Sequence, residues 1–110
     1  MKVYHYCTSS GRDVIKEFLN GCSSDIREDF FDAVSMLETG TNLAMPLSKN
    51  LFNICIGLHE LRLKDKRGIF RFFYFIKKSD GIFFLHAFQK KTEELPKKES
   101  TLILKRIKEV

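Results

Sequence analysis

The sequence predicts a small α+β fold, a single domain over residues 1–110 with an N-terminal strand, two helices, a three-stranded antiparallel meander and a C-terminal helix. Three observations lead to it. The length of 110 residues matches one ordinary domain. Apolar residues recur at helical spacing in the first third of the chain, and short aromatic runs follow later. In such a layered fold we expect the helices to gather on one face of the sheet and the other face to be exposed.

The first third of the chain predicts a strand and two helices. Residues 2–7 alternate between apolar and polar side chains, and residues 8–11 then break the strand and can cap a helix. Helical spacing predicts a short helix ending near Gly21 and a second one from Ser24 to Gly40. The apolar stripes of these helices are Val14, Phe18, Leu19 and Cys22, then Ile26, Phe30, Ala33, Val34 and Leu37.

The rest of the chain predicts three strands and a closing helix. Seven of the eleven phenylalanines lie between Phe70 and Phe88, which favours strands over helices. Asp80-Gly81 is typical of a two-residue hairpin turn, and Pro96 fits the first turn of a helix. The predicted strands and the basic loop between the first two of them are Asn53–Leu63, Ile69–Lys77, Ile82–Phe88 and the loop Lys64–Gly68.

A two-residue turn at Asp80-Gly81 fixes a register for the last hairpin. It places Arg71 opposite Lys90, and two opposed cations indicate an anion bound between them. A bulge near Gln89 would instead bring Lys91 to Arg71, and the sequence allows either lysine. The other predicted pairs are Phe75 with His86 and Phe73 with Phe88. One face would hold Arg71, Phe73, Phe75, His86, Phe88 and Lys90, and the other Phe70, Phe72, Tyr74, Leu85 and Lys91.

Charge is distributed unevenly along the chain. Residues 1–60 hold five Lys/Arg and eight Asp/Glu, whereas residues 61–110 hold fourteen and six. The basic second part predicts attraction to a polyanion such as nucleic acid, an acidic protein or a membrane surface. No run of about 18 uncharged apolar residues occurs, and the start lacks the pattern of a secretory signal. Three cysteines at unrelated spacings predict buried, reduced thiols in a cytoplasmic protein.

Several kinds of active site have no support in the sequence. No GxSxG, P-loop or HExxH motif occurs, and histidines and cysteines are scattered singly, so we expect neither a metal nor another cofactor. What remains is a sheet bearing Arg, Lys, His and Tyr, a set that can bind a phosphate and stabilise charge developing on it. Each residue also has a structural interpretation. Arg71 would then need an acidic partner, Arg62 could pair with Glu60, and His86 and Tyr74 could simply pack.

Three segments in their order resemble a known protein family. They are Gly57–Arg62, Phe70–Tyr74, and Phe84–Thr92 followed by Pro96. Together they resemble the RelE/ParE toxin superfamily, in particular its phage-derived HigB-like branch in type II toxin–antitoxin systems. The resemblance covers roughly residues 13–100, and the order of segments is more specific than any one of them. Glu93–Leu95 depart from it, because the family usually has a more polar or basic stretch before the proline.

The resemblance implies a RelE-like fold and a metal-independent endoribonuclease that cuts mRNA on the ribosome. In this chemistry a ribose 2′-hydroxyl attacks the adjacent phosphate, which requires proton transfer and stabilisation of a dianionic phosphorane. By position, Arg62 and Arg71 would hold the phosphate with support from Lys90 or Lys91. Proton transfer would fall to His86 or Tyr74. The basic residues that would contact RNA phosphates are Lys64, Lys66 and Arg67.

The resemblance also implies a partner, a cognate antitoxin that is a helix-turn-helix DNA-binding protein. It could cover the cationic sheet or bind the acidic pair of helices and block entry to the ribosome. The protein would act in the cytoplasm on ribosome-bound mRNA, away from membranes. Two other functions fit the same fold. One is a ParE-like gyrase-inhibiting toxin, and the other is a catalytically inactive domain that still binds nucleic acid or protein.

Overall fold

The computed structural model describes all 110 residues as three helices and one mixed five-stranded sheet, which confirms the predicted α+β class. The helices are α1 (Val14–Asn20), α2 (Ser24–Glu38) and α3 (Lys97–Ile107). The strands are β1 (Val3–His5), β2 (Ser48–Asn50), β3 (Leu58–Asp65), β4 (Gly68–Lys77) and β5 (Gly81–Gln89).

The sheet has the order β1-β5-β4-β3-β2. The pairs β3–β4 and β4–β5 are antiparallel, which confirms the predicted meander, and β1 runs parallel to β5. Sequence reasoning missed β2, because three residues are too short to show alternation. It also began the next strand too early, since residues 51–57 form turns before β3 starts at Leu58. The predicted basic loop shrinks to residues 66–67, because Lys64, Asp65 and Gly68 belong to strands.

Short polar side chains begin the first two helices. The Asp13 carboxylate accepts the N–H groups of Ile15 and Lys16 and caps α1, so the predicted capping by residues 8–11 is wrong. The Ser23 hydroxyl accepts the Ile26 N–H at 3.2 Å and caps α2. No helix of the protein combines the length and apolar composition needed to cross a bilayer.

Both faces of the sheet are covered, so the expectation of helices on one face only is wrong. On the first face, α1 and α2 pack against an apolar core that includes Phe30, Phe72 and Phe84. On the second face, α3 inserts Ile103 into a smaller cluster with Leu51, Leu58, Phe73 and Leu85. The reason lies in β4 and β5, which carry apolar side chains on both faces and therefore need a cover on each.

The last hairpin differs from the predicted two-residue turn. Lys77 pairs with Gly81, so the loop contains three residues, 78–80. Gly81 has a φ of +134°, and a Cβ there would lie 2.8 Å from the carbonyl oxygen of Lys2. Glycine is therefore needed at the start of β5 because β1 docks closely against it, rather than inside the turn.

A β-bulge in the same hairpin changes which residues share a face. The register shifts between Phe73 and Tyr74, which leaves Leu85 as an extra residue on β5. Leu85 therefore packs with Phe73 on the second face and not, as predicted, on the first. The predicted pairs Phe75–His86, Phe73–Phe88 and Arg71–Lys90 are wrong, and the observed ones are Phe75–Phe83, Phe73–His86 and Arg71–Phe88.

The three cysteines lie in three different environments. Cys22 is buried, Cys55 is half-buried and Cys7 is exposed. Burial raises the pKa of the Cys22 thiol. The expectation of three buried thiols is therefore wrong for Cys7, which lies just beyond the end of β1.

Candidate functional site

The second face of the sheet carries four cationic side chains beyond the part that α3 covers. Strand register places Arg62 directly opposite Arg71. In the next row Lys64 lies opposite Ile69, whose carbonyl accepts the Lys90 N–H at 2.7 Å. Because side chains two residues apart share a face of a sheet, the two rows bring these cations together. We refer to Arg62, Lys64, Arg71 and Lys90 as the cationic cluster.

A fully buried carboxylate links the two arginines of this cluster. Glu60 is 0% exposed, and its Oε1 accepts a hydrogen bond from Arg62 Nε at 3.1 Å. Its Oε2 accepts a hydrogen bond from Arg71 Nε. Arg71 thus has the acidic partner that its structural interpretation requires, and Arg62 pairs with Glu60 as the sequence allowed. One carboxylate therefore stabilises two opposed cations that would otherwise repel.

The Arg71 guanidinium is also enclosed by aromatic rings. Its central carbon lies 5.4 Å from the Phe73 ring centroid and 5.3 Å from that of Phe88. Its Nη1 is buried and has no hydrogen-bond partner in the protein. Buried polar groups are rarely left unpaired, so a free N–H donor of a buried cation points to an anionic ligand.

The two candidate lysines lie in different surroundings. Phe88 lies opposite Arg71, and Lys90, two residues later, continues on the same face. The Lys90 ammonium lies 3.3 Å from a Glu93 oxygen, but Glu93 is 94% exposed, so this ion pair is weak. Lys91 is exposed and lies beyond the end of β5, and the observed bulge lies at Leu85 rather than near Gln89.

His86 lies on the face of the cluster but is engaged by α3. Its Nε2 lies 3.2 Å from Glu99 Oε1, and its Nδ1 lies 3.3 Å from Arg106 Nη1. Because Arg106 can only donate, Nδ1 must accept and the ring proton belongs on Nε2. Burial lowers the pKa of His86 despite the neighbouring carboxylate. His86 is therefore a neutral ring with both nitrogens occupied.

Replacing His86 with glutamine should make the stability of the fold less dependent on pH. The pKa of His86 is lowered in the folded protein, so its neutral form stabilises the fold above the unfolded value of about 6.5. This stability is lost as the pH falls below 6.5 and through the folded-state pKa. We expect the free energy of unfolding, measured with urea at several values between about pH 7 and 5, to change less steeply with pH for His86→Gln than for wild type. His59, whose pKa burial also lowers, is present in both proteins, and an unchanged slope would contradict the assignment.

Tyr74 lies on the opposite face of the sheet from the cationic cluster. It is 1% exposed, and its hydroxyl lies 2.7 Å from the hydroxyl of Ser48. Burial raises the pKa of the Tyr74 phenol. Its ring also stacks on His59, with centroids 5.1 Å apart. The structure thus places Tyr74 within the first-face core and does not bring it together with the arginines.

The remaining basic candidates lie at the turn between β3 and β4 among acidic side chains. Asp65 accepts hydrogen bonds from the Ser23 hydroxyl at 2.7 Å and from the Arg67 N–H at 2.8 Å. A cavity of about 400 Å³ at this turn is lined by both signs of charge. Its charged lining residues are Asp25, Glu28, Asp29, Lys64, Asp65, Lys66 and Arg67. Of the basic residues at this turn, only Lys64 belongs to the cationic cluster, because it pairs with Ile69 in the register of β3 with β4.

Glu60 is the residue of this candidate site whose place cannot be predicted from the sequence. From the sequence, Glu60 is expected only as one possible partner for Arg62. Alternation along β3 puts Glu60 and Arg62 on the same face, and that signal was available in the sequence. What the sequence lacked was the correct register, which brings Arg71 to the same carboxylate.

Comparison with protein-family models finds a family that the chain matches. Residues 17–108 match the family described as "Phage derived protein Gp49-like (DUF891)". The matched range includes β3, β4, β5 and every residue of the cationic cluster. No curated protein matches the chain. No group of three or more His, Cys, Asp or Glu side chains is arranged to hold a metal ion.

Proposed function

Since the chain belongs to the Gp49-like family of phage-derived proteins (DUF891), a toxin-like family related to type II toxins, we propose that it is the toxin of a type II toxin–antitoxin system. The proposal assigns it to the RelE/ParE superfamily and to the HigB-like branch. The α+β fold and the order of its elements support this assignment. Residues 1–110 would form one toxin domain.

We propose that the toxin is a metal-independent endoribonuclease acting on mRNA at the ribosome in the cytoplasm. The cationic cluster, with a buried arginine that keeps one free N–H donor, is the observation that supports an RNA-cleaving site best. A gyrase-binding inhibitor has no need for cations that converge on a single phosphate. Cations fixed in advance around a phosphorane stabilise the charge that develops in the transition state.

The residues of the cluster would divide the work between binding and proton delivery. Arg71 and Arg62 would hold the non-bridging oxygens of the scissile phosphate. As the 2′ oxygen bonds to phosphorus, its proton would pass to solvent water. The bond from phosphorus to the 5′ oxygen would break, and the ammonium group of Lys90 or Lys64 would donate a proton to that leaving oxygen. Outside the cluster, the exposed residues Lys66, Arg67 and Lys91 would contact flanking phosphates of the RNA.

His86 and Tyr74 would support this site rather than transfer protons in it. His86 is neutral, and both of its nitrogens bond to α3. Tyr74 faces the core on the other side of the sheet. The proposal therefore rests on charge stabilisation by arginine and lysine, in line with the absence of a paired acid and base at the cluster.

One experiment separates the proposed function from its alternatives. The protein is induced in bacteria, and new mRNA 5′ ends are mapped alongside markers of DNA damage. We expect growth arrest with new 5′ ends inside translated regions and no DNA-damage response. DNA damage without mRNA cleavage would assign a gyrase-inhibiting toxin instead. Normal growth at confirmed expression would indicate a binding domain without activity.

A further inference from the structure

The two hydrogen bonds that Glu60 accepts hold two arginines at once. Its side chain is 0% exposed, and each of its two oxygens bonds the Nε of a different arginine. Arg62 remains 27% exposed and Arg71 only 4%. Both guanidinium groups are thus fixed through Nε, and their terminal nitrogens make no hydrogen bond within the protein.

The charge of this triad matches that of a single phosphodiester. Two arginines and one carboxylate leave a net charge of +1 in a mostly buried place. Burial of such a group is costly unless its remaining donors are paired, and Arg71 Nη1 is not paired within the protein. One phosphate oxygen with its negative charge would satisfy both the unpaired donor and the excess charge.

From these contacts we infer that Glu60 is a positioning residue that orients the Arg71 guanidinium toward the scissile phosphate. This inference rests on the proposed endoribonuclease function and names a residue that acts through the arginines. Glu60 itself does not accept the proton of the 2′-hydroxyl, because both of its oxygens are occupied by arginine donors. Its role is to hold two like charges side by side in one orientation before RNA arrives.

Glu60→Gln tests the inference in a translation extract with ribosome-bound mRNA. The amide keeps the shape of the side chain but presents one oxygen and one NH2 donor, so one arginine loses its acceptor. We expect kcat to fall about 100-fold, as for a misplaced catalytic group, while KM changes less than about threefold. A merely structural role would lower kcat only in proportion to the folded fraction, which circular dichroism measures on the same sample.

Glu17→Gln is the matched control. It also removes a carboxylate from an Arg–Glu pair, but Glu17 and Arg12 are exposed at the start of α1. We expect wild-type kcat and KM for this variant. If wild-type protein itself does not cleave mRNA, the proposed function fails. If wild type cleaves and folded Glu60→Gln keeps wild-type kcat, the inference on Glu60 is overturned.

A second measurement applies if Glu60→Gln does not fold. Wild-type protein with ¹⁵N-labelled arginine is titrated with inorganic phosphate and followed by side-chain NMR. We expect the Nη signals of Arg71 to shift, while the Nε signals of Arg71 and Arg62 stay in place because Glu60 continues to hold them. Equal shifts at Nε would mean that Glu60 releases the arginines and would overturn the inference.

Discussion

Replacement of Glu60 and Arg71 together by methionine should abolish RNA cleavage and leave the fold as stable as wild type. Removal of one partner of a buried ion pair leaves an unpaired charge and costs about 3–5 kcal/mol. Replacement of the whole pair by apolar side chains of similar volume is neutral or stabilising by about 1–4 kcal/mol. Methionine suits this place because Phe73 and Phe88 surround Arg71, and thioethers pack well against aromatic rings. Arg62 keeps access to water.

The loss of activity should be large, because Arg71 would stabilise charge in the transition state. Removal of such a group lowers kcat by about 100- to 1000-fold. Thermal unfolding of the purified variant and growth after induction measure the two effects separately. Arg12→Met with Glu17→Met makes the same change in the exposed ion pair at the start of α1 and should alter neither the thermal stability nor the growth arrest. A double variant of Glu60 and Arg71 that still arrests growth would exclude Arg71 from the chemistry.

The single variant Arg71→Ala tests the catalytic role of Arg71 less well than the double variant does. From the sequence we expect loss of toxicity with an intact fold. The structure shows that Arg71 neutralises a fully buried carboxylate, so its removal should also destabilise the protein. Loss of toxicity in Arg71→Ala alone would therefore not distinguish a missing catalytic group from an unfolded protein.

Local patterns predicted most of the elements of this fold. The apolar stripes ending at Gly21 and Gly40 correspond to α1 and α2, and the aromatic runs correspond to β4 and β5. A strand of three residues such as β2 has no period to detect. The side of the sheet on which α3 packs depends on tertiary contacts of Ile103 and not on any local pattern.

The pairing register of β4 with β5 could not be predicted correctly from the sequence, and this affected the prediction of the site. The sequence pairs Arg71 directly with Lys90, whereas the bulge at Leu85 and the three-residue turn put Phe88 opposite Arg71. A bulge arises from backbone geometry and packing, and no residue type marks it uniquely. The contact between Arg71 and Glu60 depends instead on the register of β3 with β4, which no turn motif in the sequence indicates.

Co-expression with the product of the adjacent reading frame should restore growth fully and yield a co-purifying complex. A toxin of this kind must be silenced in its own host, and the proposed partner is an antitoxin with a helix-turn-helix DNA-binding fold. We expect the partner to contact α2, which exposes the large apolar side chains Phe31 and Met36. Met36 lines a groove of about 630 Å³ together with Pro46 and Leu47, a shape that can accept an apolar anchor.

Two surface variants, each made in the non-toxic background with methionine at positions 60 and 71, test where the partner binds. Met36→Asp adds a charge to the α2 groove and should weaken the complex at least tenfold, the cost of losing about 1.4 kcal/mol. Lys90→Glu reverses a charge of the cationic cluster at a residue that does not line the groove, and it should change the affinity less, with the difference measured by calorimetry. Weakening by Lys90→Glu alone would place the antitoxin on the cluster instead. A neighbouring product that neither binds nor restores growth, in a host that the protein arrests, would remove the toxin–antitoxin assignment.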